Sequence, residues 1–259
     1  MSLCEGCRST RSYICEQFSC SKRRRLCDIV DKDLLEDLYF ETGRSKVPMD
    51  LVIARSRQIE ANYSEIASQI LAGGLSPPSD PGQAYSYIGH LCARLSHGIG
   101  IKSLGRIRTA AEIVTVDQGR NEFEGVPGQA IETELARAWS ETMVRIKSAR
   151  NTRDFAAAYA YIMVELFRIH PFRDGNGRTT RLLLMALAHS NGMKLRRFAP
   201  SGKDRRRYRD ALLYAHRRRR DRPGSRPEDQ DCFLVRDFIA RHLTPAITET
   251  VEIEPDIQT

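Results

Sequence analysis

Between an amphipathic stripe (Phe155, Tyr159, Ile162, Leu166, Ile169) and the apolar run Leu182–Ala188, residues 170–181 read HPFRDGNGRTTR. This segment constrains the fold more than any other, because two hydrophobic helices must be joined by a bend that its residues alone supply. Pro171 prevents simple continuation of the first helix, which ends at His170. The glycines let the backbone turn before a second helix starts near Arg178; it is apolar nearly all round, hence buried, and stops at Gly192. A helix that begins after a glycine-rich turn aims several N–H groups outward. That is a nest for an anion, and phosphate is the expected one.

The side chains of the bend each have a chemistry suited to that anion. Asp174 offers oxygen to a hard divalent cation, and Asn176 can donate to a phosphate oxygen. Arg178 and Arg181, one helical turn apart, reach the more distal phosphates. His170 has an unperturbed pKa that makes it a ready general base near neutral pH. Phe172 anchors the bend in the core. A Walker loop needs G-x-x-x-x-G-K-[ST], which is absent. An EF-hand loop starting at Asp174 would place Arg178 and Met185 where an acid or amide and a glutamate are required. A zinc site on His170 lacks a partner at H-x-x-x-H spacing.

The rest of the chain reads as helical almost throughout. Leu34, Leu35 and Leu38 have helical spacing in a segment ending at Gly43. Pro48 opens a helix with Val52, Ile59, Tyr63, Ile66 and Ile70 on one face, closed by Gly73-Gly74. Further helices are predicted over Ala84 to about His97, Ile131 to about Ile146, from Asp154, from Lys203 to His216, and from Cys232 to His242. The one strand signal is a hairpin around Val114, Val116 and Phe123, with Gly119 in its turn.

In 259 residues there is enough chain for a sizeable core. Five of the seven cysteines, Cys4, Cys7, Cys15, Cys20 and Cys27, crowd the N-terminus, which is not a disulfide framework and favours a reducing compartment. Their spacing leaves a structural zinc site or a poorly packed leader open. No apolar run nears the roughly 20 residues that cross a membrane, and the first thirty residues lack a signal-type apolar stretch. A soluble, cytoplasmic protein is expected. The net charge of +8 is concentrated in KLRRFAPSGKDRRRYRD and HRRRRDRPGSR, but no base-reading motif accompanies it, so nucleic-acid binding is open without being favoured.

Residues 170–181 resemble the signature of the Fic family, H-[PA]-F-x-[DE]-G-N-[GK]-R, extended by a second arginine as G-N-G-R-x-x-R. The resemblance implies an all-α, Fic-type helical bundle with a short β-hairpin flap. It also implies transfer of a nucleotide monophosphate, usually AMP from ATP, onto a protein hydroxyl. Carried onto this chain, His170 deprotonates a serine, threonine or tyrosine hydroxyl and Asp174 binds Mg2+. Asn176 and the amides around Gly175 and Gly177 hold the α-phosphate, and Arg178 and Arg181 hold the β and γ groups. GRIR, residues 105–108, resembles the family's glycine and arginine before the flap. The hairpin, with Ile113, Val114, Thr115 and Val116, is then the flap that docks a target segment by strand addition.

SRQIEAN, residues 56–62, resembles the family's inhibitory motif [ST]-x-x-x-E-[GN], with Ser56 and Glu60 in place and Ala61 where glycine or asparagine is usual. In such relatives the glutamate pairs with the second arginine of the loop, here Arg181. The expected organisation is a leader over 1–31, a Fic domain over 32–243 with an inhibitory helix at about 49–72 and a flap at about 113–124, and a tail over 244–259. Three classes follow: a protein adenylyltransferase using ATP and Mg2+ on a target protein, a hydrolase that removes AMP with water positioned by Glu60, and a nucleic-acid-binding regulator. Homo-oligomerisation is open.

Overall fold

The computed structural model describes residues 49–100, 104–110, 112, 115–117, 122–196, 207–208, 210–216 and 229–246. The N-terminal cysteines, the segment with Leu34, Leu35 and Leu38, most of the arginine-rich runs, and Ile113 and Val114 lie outside them. Six helices carry the fold: α1 (Met49–Leu71), α2 (Ala84–Leu95), α3 (Ile131–Ser148), α4 (Thr152–Ile169), α5 (Asn176–Ser190) and α6 (Asp229–Ala240). A further helical stretch includes residues 207–208 and 210–216. Strands β1 (Thr115–Asp117) and β2 (Glu122–Glu124) pair antiparallel as the expected hairpin, with Val116 opposite Phe123.

The architecture is therefore an all-α bundle with a hairpin between α2 and α3. It departs from expectation at one edge. β3 (Met193–Leu195) and β4 (Leu243–Pro245) form a second antiparallel pair, Lys194 opposite Thr244. Thr244 and Pro245 thus belong to the folded edge and not to a tail. Three-residue strands about 50 positions apart are too short to show a period of two.

α4 is the central rod, packed against α3, α5 and α6. Ala156, Tyr159, Ile162, Met163, Leu166 and Ile169 are all buried on it. Its first turn is capped by Asn151, whose side chain accepts from the N–H groups of Arg153 and Asp154 at 2.9 and 3.0 Å. Glu165 is wholly buried and is balanced by Arg137 at 2.6 Å and Arg168 at 2.8 Å. Glu134 of α3 joins both arginines, so one ionic cluster fixes α3 to α4. α5 is held to α4 by the Tyr159 hydroxyl, which donates to the Leu187 carbonyl at 3.1 Å.

α1 packs on α2 and α5 through Ile59, Tyr63, Ile66 and Ile70, the face that its sequence pattern marks. Gly73, with φ 79°, closes it in a left-handed turn, as Gly73-Gly74 suggests. Asn62 is also buried on this face. Its carboxamide N–H groups donate to the carbonyls of Leu95 and His97, at 2.9 and 2.8 Å, satisfying the C-terminal end of α2. Replacing Asn62 by alanine leaves those carbonyls without that donor. Urea unfolding of Asn62→Ala is expected to show a stability lower by about 1–3 kcal/mol; unchanged stability would mean that α1 is not fixed by this contact.

Candidate active site

Helix α4 ends in an unusual way. His170 has φ 49° and ψ 61°, and it is the one non-glycine residue with positive φ among the described residues. Pro171 bars a further helical turn, and the left-handed backbone lets the His170 N–H still reach the Leu166 carbonyl at 2.9 Å. That conformation costs a residue with a Cβ about 1–2 kcal/mol. It is held by its surroundings: the His170 carbonyl accepts from Arg108 Nε at 2.8 Å, and the Pro171 carbonyl accepts from the Arg108 N–H at 2.9 Å.

The turn that follows is braced at both ends. Phe172 is 1% exposed, bridges to Ile107, and contributes roughly 1.5–3 kcal/mol by burial. Asn176 accepts from the Phe172 N–H at 3.1 Å and donates to the Phe172 carbonyl at 2.8 Å. Asn176 was expected to meet phosphate; it also shapes the loop, and that use takes one of its two amide N–H groups. Gly175, at φ 86°, makes the final bend with its Cα close over Cys92, whose Sγ a side chain there would meet at 3.4 Å. α5 then begins at Asn176, and its first backbone bond runs from the Thr179 N–H to the Gly175 carbonyl at 2.8 Å. A helix start of this kind leaves the N–H groups of Asn176, Gly177 and Arg178 without intrahelical partners, at the positive end of the dipole.

Charge is arranged around that nest. Asp174 is 8% exposed; its carboxylate accepts from the Gly175 N–H and from Arg178 Nη2, the latter at 2.7 Å. Burial, and then the neighbouring Arg181 charge, lowers the Arg178 pKa to about 10. Arg181 lies over Gly177, whose missing Cβ would sit 3.5 Å from Arg181 Nη1. Burial and the Arg108 charge lower the His170 pKa to about 4, partly opposed by the Phe167 carbonyl, so the ring is neutral at pH 7. His170 Nδ1 is buried and makes no close hydrogen bond. Thr179 Oγ1, under the same loop, is likewise buried without one.

The seven loop residues proposed from sequence, His170, Asp174, Gly175, Asn176, Gly177, Arg178 and Arg181, therefore meet in one bend and the opening of one helix. The inhibitory pair does not join them. Ser56 is buried on α1, but Glu60 is exposed and forms no ion pair with Arg181. The reason is helical phase: the buried stripe runs Ser56, Ile59, Asn62, Tyr63 and Ile66, and Glu60 falls just outside it. Of the flap residues, Thr115 and Val116 are in β1.

Sequence reasoning gave Arg108 no role of its own. It is 3% exposed and donates to four backbone carbonyls: His170 at 2.8 Å, Glu112 at 2.6 Å, Val126 at 2.7 Å and Ile169 at 3.1 Å. The only sequence signal for it is its place in GRIR. Glu112 nearby is held by Arg106 through two bonds, at 2.8 and 2.7 Å, and by the Thr109 N–H, which bring its pKa down to about 2.

The site can hold a phosphorylated ligand and, through Asp174, a cation. No group of three or more His, Cys, Asp or Glu residues among the described residues forms a metal cage. One carboxylate plus phosphate oxygens is the usual way of holding magnesium, so the donor set fits that ion.

Comparison with known proteins agrees with this geometry. Residues 86–188 match the model of the Fic/DOC family. A probable protein adenylyltransferase of Sinorhizobium fredii is 34% identical over 85 residues, a match covering 32% of this chain and 43% of that protein's length. The BepC protein of Bartonella tribocorum, crystallised with AMPPNP, superposes with a TM-score of 0.56 at 18% identity, over 78% of this chain and 90% of that one. A Fic-domain signalling protein of Bacteroides thetaiotaomicron gives 0.58 at 15% identity, over 86% and 87%. The hairpin, the α4–α5 bend and both arginines after it fall within the matched span, and residues 86–188 of this chain are a domain of the Fic/DOC family.

Proposed function

We propose that this chain is a protein adenylyltransferase that moves AMP from ATP onto a hydroxyl group of a target protein. The observation that carries the reading is the meeting of a neutral, partly exposed His170 with the amide-lined start of α5 across one short, rigid turn. The target hydroxyl loses its proton to the imidazole, its oxygen bonds to the α-phosphorus, and the bond to the β-phosphate breaks to release pyrophosphate. The N–H groups of Asn176, Gly177 and Arg178 face the charge that develops on the α-phosphoryl oxygens. Arg181 and Arg178 would serve the distal phosphates, and Asp174 would be the residue that holds the cation. Magnesium neutralises phosphate charge when bound.

The hairpin at 115–124 offers backbone for pairing with an extended target segment. The reading extends to self-inhibition. α1 lies along α5, the helix that carries Arg181. A Glu60 side chain swinging in from solvent then competes with the γ-phosphate for that guanidinium.

Labelling of lysate proteins with ATP carrying a marked α-phosphate tests both parts. His170→Ala is expected to lower labelling by roughly 100- to 10,000-fold; labelling that survives the substitution would reject the reading. Glu60→Gly is expected to raise it up to about fivefold, the weight of one exposed ion pair, and equal rates would reject self-inhibition.

The pH profile is a separate check. The His170 pKa is lowered in the folded free protein, so the neutral, base-competent ring persists as pH falls until about 4. The acid limb of kcat/KM, which reports free enzyme, is expected near that value, and the limb of kcat is expected higher because bound phosphates favour the imidazolium. An acid limb of kcat/KM at 6.5, the ordinary imidazole value, would contradict this environment. By the same shift, stability contributed by the neutral ring is complete above 6.5 and is lost as pH falls toward 4.

A further inference from the structure

We propose that Arg108 is a positioning residue that ties the hairpin to His170, so that seating a target segment on the hairpin and aiming the imidazole are one mechanical event. The inference rests on the adenylyltransferase reading for its catalytic meaning and on geometry for its existence. Arg108 sits before the hairpin and points back beneath it. Nη1 donates to the Glu112 carbonyl on the incoming leg, and Nη2 to the Val126 carbonyl on the outgoing leg, at 2.6 and 2.7 Å. Nη2 also reaches the Ile169 carbonyl at 3.1 Å, and Nε reaches the His170 carbonyl at 2.8 Å. One planar fork thus spans both hairpin legs and the last carbonyls of α4.

The outgoing leg is fitted against the same two residues. The Val126 N–H donates to the Ile169 carbonyl at 3.2 Å. A Cβ at Gly125 would lie 2.9 Å from Arg108 Nη2 and 3.1 Å from His170 Cβ, so the strand can lie against the histidine only because residue 125 has no side chain. Gly128, the next glycine along the leg, repeats the device: a Cβ there would lie 2.0 Å from the Thr109 carbonyl oxygen. The hairpin is therefore pinned at its base on both sides, and the pin is the residue that holds the left-handed His170 backbone. Among the charged side chains of the described residues, Arg108 is also the one whose field acts on the imidazole. The phosphate nest is braced separately, by Asn176 on Phe172 and by Arg178 on Asp174.

This division predicts a separable defect. Arg108→Lys keeps a positive charge and loses the fork. Gly125→Ala keeps the guanidinium intact and pushes the outgoing leg off His170, and it serves if the lysine variant does not fold. Two measurements are made on each folded variant. The first is the titration midpoint of the His170 ring by NMR in ligand-free protein, which needs no activity; it is expected to move up toward the ordinary imidazole value as water reaches the ring. The second is kinetic: kcat for transfer to a protein target is expected to fall by about 10- to 100-fold, with affinity for ADP and magnesium unchanged within about twofold.

A midpoint unmoved in both variants would overturn the proposal. So would a loss of nucleotide affinity equal to the loss of turnover, which is the mark of a general structural role. If the unmodified protein transfers no AMP, the adenylyltransferase reading fails, and the titration still decides whether Arg108 couples hairpin and histidine.

Discussion

The chain leaves α4 at Ile169 and enters α5 at Asn176, and the chemistry of the site depends on holding those two helix ends one short turn apart. On the proposed reading the C-terminal end supplies a base and the N-terminal end an anion nest, and a longer or looser connection would let each serve without the other. Several contacts prevent that. Phe172 is driven into the core, Asn176 closes the turn onto its backbone, and Gly175 takes the left-handed bend over Cys92. His170 takes a second left-handed conformation that a side chain does not favour, and the Arg108 fork holds its carbonyl. Strain of about 1–2 kcal/mol at a residue bearing the reactive group is what a site stabilised from outside itself can sustain.

Electrostatics explains why such a site is waiting for a polyanion. Arg178 and Asp174 neutralise one another, but the pair is desolvated and Arg181 adds cationic charge that lowers the Arg178 pKa. Amide dipoles at the start of α5 add further positive potential. On the proposed reading a triphosphate would relieve that accumulation, and Asp174 would then be the carboxylate that holds a divalent ion. The imidazole is kept neutral by burial and by the Arg108 charge, which is the protonation state the proposed base needs.

Much of this was legible in the amino-acid sequence, for a physical reason: the residues of the nest are consecutive, so spacing and geometry coincide. The spans of α1, α4 and α5 follow from apolar periodicity with Gly73, Pro171 and Gly192 as punctuation, whereas the Asn151 cap, which starts α4 before the expected Asp154, was not read. Contacts between distant segments were not legible. Arg108 reaches 61 and 62 positions along the chain to Ile169 and His170, and apart from its place in GRIR nothing local distinguishes it from a surface arginine. The β3–β4 pair and the Asn62 cap on α2 escape for the same reason. Glu60 shows the converse limit. Its motif spacing was legible, but its exposure was not, because the buried face of α1 is set by packing against α2 and α5 and Glu60 lies just outside that face.

The most direct test of the central claim is a crystal structure of the chain with a non-hydrolysable ATP analogue and magnesium. The account predicts the α-phosphate against the amides of Asn176, Gly177 and Arg178, the metal on Asp174, and the His170 ring facing the α-phosphorus from the hairpin side. A nucleotide seated elsewhere, or a His170 ring turned into the protein interior beneath bound phosphates, would contradict it.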